Sequence, residues 1–171
     1  MHLSEISLML DTYDDIFSDF DPRPYSERAL SDDFLIEMKR ASRDMPSGGI
    51  SLKLQIPRHE RSLKDEKLIK KRLHEHFKKH HDRLHAEMQK LQAHGMLIAV
   101  IGFVLMGSAM LLSDSNLAPR IITMMLVVLE PSGWFAMWFG FDKIFYTAGS
   151  RKPDLSFYEK MTKCDVTFLP Y

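Results

Sequence analysis

At 171 residues, with 45% hydrophobic side chains, the chain has room for one modest domain plus a membrane segment. The single cysteine, Cys164, excludes an internal disulfide and a cysteine-based metal centre. The formal net charge of zero is a sum of opposites: 11 acidic and 5 basic residues up to position 48, then 6 acidic and 12 basic over 49–95, then 6 of each. An acidic opening and a basic juxtamembrane stretch can dock on each other, or the basic part can face anionic lipid.

No basic stretch followed by an apolar run opens the chain, and His2 stands where myristoylation requires glycine. The first 95 residues are therefore expected to remain cytoplasmic. Leu3, Ile6, Leu10, Tyr13, Phe17 and Phe20 recur at intervals of three and four, which predicts an amphipathic helix. Asp21-Pro22-Arg23-Pro24 breaks it and favours extended backbone. A second helix is expected after Ser31, with Asp32 and Asp33 in a first turn whose dipole favours negative charge. Leu30 and Leu35 occupy staple positions, and residues 46–49 (Pro-Ser-Gly-Gly) stop the helix.

Residues 50–56 alternate apolar and polar without a fault, so they predict a strand with one buried face, ended by Pro57. A long charged helix is expected from 62 to about 92, running into the first apolar segment. Its stripe is Leu73, Phe77, Leu84, Met88 and Leu91, and the spacing of seven between Phe77, Leu84 and Leu91 suits a seam against another helix. His80 falls in the same register. The seam's partner is open between the acidic N-terminal helix, other parts of the same chain and a neighbouring copy.

Residues 96–113 carry no charge over 18 positions, about 27 Å of helix and close to the hydrocarbon thickness of a bilayer. A second span is expected from Pro119 through Phe141, interrupted only by Glu130 near its middle. The short connector makes the two spans antiparallel neighbours. Lys78, Lys79, Arg83 and Lys90 precede the first span and Lys143, Arg151 and Lys152 follow the second, whereas the connector end offers only Arg120 beside Asp114. That asymmetry predicts both termini inside. A buried helical hairpin of a soluble protein is the competing reading, disfavoured by the length of the uncharged run. Beyond the spans, residues 153–162 predict a short helix, and Cys164, Val166 and Phe168 alternate as a second strand expected to pair with the first.

The expected fold is thus a predominantly α membrane protein: a two-span transmembrane helical hairpin at 95–147, with a small cytoplasmic α/β module built from 1–94 and 148–171. Glu130-Pro131 is the sharpest candidate site. A carboxylate at mid-bilayer is costly and faces protein or water, and Pro131 frees the Val127 carbonyl. Gly102 on the first span, and Ala136 and Gly140 on the second, form a small-residue packing face. Seven of the eight histidines lie between 59 and 94. The pairs His76/His80 and His81/His85 have i,i+4 spacing, but no third ligand accompanies them, and Lys78 replaces the second histidine of a zinc-protease motif. A pH-responsive interface or a solvated basic helix fits them better than a metal, and interleaved aromatics for nucleic acid are lacking. No cofactor motif or catalytic constellation is present. Two functional expectations stay open: a small homo-oligomeric membrane protein passing ions or protons through a site at Glu130, or a non-conducting anchor in the plasma membrane whose cytoplasmic module recruits a soluble protein.

Overall fold

The computed structural model describes residues 4–43, 45, 50–114 and 118–171. Leu3, the helix stop at 46–49 and most of the connector between the spans lie outside them. The chain is mostly helical with one small sheet. In order, the elements are β1 (Ser4–Met9), α1 (Asp32–Ser42), β2 (Ile50–Ile56), α2 (Leu63–Ser113), α3 (Pro119–Asp142), α4 (Lys152–Thr162) and β3 (Asp165–Pro170). They divide into two compact units, residues 1–83 with 153–171, and residues 84–152. In this division residues 84–94 and 148–152 group with the apolar helices.

In the first unit the three strands are all parallel, in the order β1-β2-β3. The alternation of β2 puts Ile50, Leu52, Leu54 and Ile56 into the core and leaves Ser51, Lys53 and Gln55 partly exposed. Leu52 pairs with Val166 and Leu54 with Phe168, so the predicted pairing of the two chain ends is present. The predicted N-terminal amphipathic helix is absent. Ser4–Met9 is a strand, and only a short 3-10 turn at Tyr13–Ile16 is helical. Two periodicities coexist in this stretch, and alternation wins: Ile6 pairs with Leu52 and Leu8 with Leu54, and Ile6 and Leu10 are buried. Phe20, assigned to the apolar face of that helix, is 98% exposed.

The core on the buried side of the sheet is filled by Phe34 and Met38 of α1, Ile69, Leu73 and Phe77 of α2, and Phe157 and Met161 of α4. The opposite face carries polar pairs, with Lys53 bridging to Glu5 at 2.7 Å and Gln55 donating to Ser7 Oγ at 3.1 Å, beside the exposed Met9. The start of α2 is fixed by a knot of hydrogen bonds. Arg61 grips the buried Glu66 carboxylate at 2.8 and 3.1 Å, while Tyr13 donates to Glu66 at 3.3 Å and accepts from the Ser62 amide at 2.9 Å. Removing Arg61 would leave the Glu66 charge buried with only the Tyr13 hydroxyl to compensate it.

In the second unit, the C-terminal part of α2 packs antiparallel on α3. The two helices are long and apolar enough to cross a membrane, and only 22% and 6% of their most apolar windows are buried within the chain. That low burial is unlike the core hairpin of a soluble domain. α3 stays helical through Pro131 and passes into a π-helical turn at Lys143–Thr147.

Leu54→Ala should lower the opening free energy of the β2 amides by about 3 kcal/mol, the usual cost of a buried leucine truncation. Lys53→Ala on the polar face should cost less than about 1 kcal/mol. Hydrogen exchange on the full chain reads both, and equal effects would contradict the one-faced core.

Candidate functional site

The apolar hairpin is held by close approach of backbones. A Cβ placed on Gly140 would lie 2.6 Å from both the Ala99 amide nitrogen and the Gly95 carbonyl oxygen. On Gly102 it would lie 2.5 Å from the Met137 amide nitrogen and 2.7 Å from the Gly133 carbonyl oxygen. No side chain fits at these distances, so glycine is required for contact rather than for flexibility. Of the predicted packing residues, Gly102 and Gly140 sit in this seam and Ala136 is half-buried beside it. Gly95 and Gly133 were not singled out. Each lies seven residues before a seam glycine, on the same helix face, and that spacing is the signal that points to them.

The seam turns the rest of both helices outward. Val100, Val104, Leu111, Met124, Val127 and Phe135 are among the large apolar side chains left exposed. Within this surface lies a groove of about 590 Å³ that contains Glu130 and Pro131 of α3 together with Ser113 and Asp114 at the end of α2. Met106, Met110 and Trp134 form its apolar walls. The groove joins Glu130 with a second carboxylate, Asp114, which sequence reasoning noted only as part of the connector. The antiparallel packing places Met106, Ala109 and Met110 of α2 in the same groove as Glu130. Pro131 carries no amide hydrogen, so the Val127 carbonyl loses its usual helical donor one turn earlier. Carboxylates are hard oxygen donors, suited to protons or hard cations rather than soft metals.

Of the predicted juxtamembrane seam, Phe77 and His80 meet α4. Leu73 and Phe77 are buried, and Phe77 meets Phe157 and Tyr158 of α4 with ring centroids 6.1 and 6.4 Å apart. His80 stacks on Tyr158 at 5.4 Å. Leu84 and Leu91 are only half-buried, and Met88 is the buried residue between them. The partner of the upper stripe is thus α4, which the charge pattern alone did not indicate. Among the described residues no group of three or more histidine, cysteine or acidic side chains is placed to hold a metal ion. Burial pushes the Cys164 thiol up to about 11, which leaves it un-ionised and poorly nucleophilic at neutral pH.

No protein family, curated protein or solved structure matches this chain.

Gly140→Val should destabilise the hairpin by more than about 2 kcal/mol through backbone overpacking. Gly107→Val, where an added Cβ meets nothing within 4 Å, should be nearly neutral. Thermal unfolding of the two variants in nanodiscs separates them; similar midpoints would show that the glycine seam does not hold the spans.

Proposed function

We propose that the chain is a small integral membrane protein that crosses the plasma membrane twice, with both termini cytoplasmic, and that its copies assemble around Glu130 to pass protons or cations. The observation that carries this reading is the groove in which Glu130 and Asp114 open onto an otherwise apolar helix surface. A carboxylate facing acyl chains at mid-depth costs several kcal/mol, roughly 3 on insertion scales, so it demands a partner or water. A neighbouring copy supplies both. Repetition of Glu130 and the freed Val127 carbonyl around a symmetry axis forms an oxygen-lined constriction of the kind that selects cations. The orientation rests on the basic residues at the inner ends of the spans, Lys90 and Lys143 nearest among them, against the single Arg120 at the connector.

A second reading, a non-conducting anchor that recruits a soluble partner, is favoured by a separate observation. Residues 1–83 and 153–171 form a unit with its own hydrophobic core and an open polar sheet face. Parallel sheets are usually covered on both faces, so a bare one is a natural surface for a protein partner.

Flux of protons and of monovalent and divalent cations into liposomes distinguishes the two. In the conducting reading Glu130→Gln lowers flux at least about tenfold while the oligomer persists, since a neutral amide retains hydrogen bonding but not the charge. Absence of flux from the intact protein, or flux unchanged in Glu130→Gln, would leave only the anchor.

A further inference from the structure

The first unit contains a column of rings that the proposed function does not use. His76 and His80 of α2 stack with centroids 4.1 Å apart and planes 25° from parallel, and His80 stacks in turn on Tyr158 of α4 at 5.4 Å and 19°. His80 Nδ1 lies 3.0 Å from the His76 carbonyl oxygen, and Phe77 meets the His76 ring edge-on at 5.7 Å. The column joins two helices that are far apart in sequence. His76 Nε2 is buried in it without a hydrogen-bond partner among the described residues. A buried polar atom left unpaired is rare and destabilising, so its presence calls for a physical reason.

The surroundings accept this imidazole only when it is neutral. On its own helix the cations acting on it are Arg72 and Lys79, the His80 ring stacks against it, and the adjacent Glu75 is paired with Lys71 at 3.8 Å. From α4 come the Tyr158 phenol, Asp154 and Glu159. Asp154 is tied to Lys39 of α1 at 3.0 Å and Glu159 to Lys163 at 2.8 Å. Lys39 lies 5.8 Å over the Tyr158 ring, adding another positive charge near the column. His81 lies close enough to Glu159 to act on it electrostatically. An imidazolium at His76 would therefore find no acceptor for Nε2, cations on its own helix, and carboxylates already engaged.

We propose that the His76–His80–Tyr158 column is an acid-operated latch between α2 and α4, closed while the His76 imidazole is neutral and opened by its protonation. Burial, then His80, Arg72 and Lys79, hold the His76 imidazole at about 4 against its ordinary 6.5. When α4 separates, the ring meets water and recovers its ordinary affinity. Between those values the open state binds the proton and the closed state does not. The latch is fully stable above pH 6.5 and weakens as the pH falls through the window toward 4. Because His76 is only partly buried, the expected weakening is about tenfold in the closed-to-open ratio between pH 7 and 5, less than the full shift implies. Along the chain α4 stands between α3 and β3. Acid thus acts on the segment that ties the second apolar helix to the edge of the sheet.

The test is hydrogen exchange of the α4 amides in the full chain, in nanodiscs, expressed as protection factors to remove the intrinsic pH dependence. In the unsubstituted chain protection should fall about tenfold from pH 7 to pH 5. In His76→Phe, which keeps a ring in the stack without a titrating nitrogen, protection should be independent of pH. The same fall in His76→Phe, or no fall in the unsubstituted chain, overturns the latch. If the phenylalanine variant does not fold, a nitrogen-15 titration of the unsubstituted His76 ring decides instead: a midpoint below pH 5 supports the latch, and one near 6.5 refutes it.

Discussion

Backbone meets backbone where α2 crosses α3, and the organisation of the second unit follows from that contact. Two helices brought this close at Gly95, Gly102, Gly133 and Gly140 spend their glycine faces on each other. Many of the larger apolar side chains are left on the outside, where Val104, Met124 and Phe135 are exposed. Exposed apolar surface of this extent marks membrane or protein-interface regions. In lipid the same surface costs nothing, and close packing of small residues becomes the main source of helix association. Glu130 and Asp114 are carboxylates on this surface, and they line one groove.

The first unit obeys a different constraint. A three-stranded parallel sheet with one covered face is stable here because three helices, α1, α2 and α4, deliver a dense set of buried side chains to that face. Strand order places the most apolar strand, β2, in the middle, and the ends of the chain supply the flanking strands. The N-terminal and C-terminal segments are thereby committed to one fold. α2 contributes to both units: Ile69, Leu73 and Phe77 serve the sheet, and Gly95, Ala99 and Gly102 serve the helical seam. It does so by a change of composition along one continuous helix rather than by a break.

Much of this was readable from residues alone where a single periodicity was present. β2 alternates without ambiguity and is bounded by breakers, and the apolar runs are long enough to form helices that could cross a membrane. β1 was misread because Ile6, Leu10, Tyr13 and Phe17 satisfy a helical spacing while Ile6, Leu8 and Leu10 also alternate. Pairing with β2 decides between them, and pairing is not a local property. The groove was half legible. Glu130 stood out by its cost in a membrane, but Asp114 joins it only through the antiparallel register of α2 and α3. The histidine column was visible as spacing, yet its meaning depends on Tyr158, a residue 78 positions from His80 that no local pattern connects to it.

The account rests most heavily on copies of the hairpin assembling around Glu130 within a bilayer, and native mass spectrometry of the full chain released from lipid nanodiscs tests it most directly. Two spans cannot enclose a polar path, so the account predicts a closed assembly of four or more subunits. A strict monomer or dimer would contradict it and leave Glu130 as a contact within an anchor.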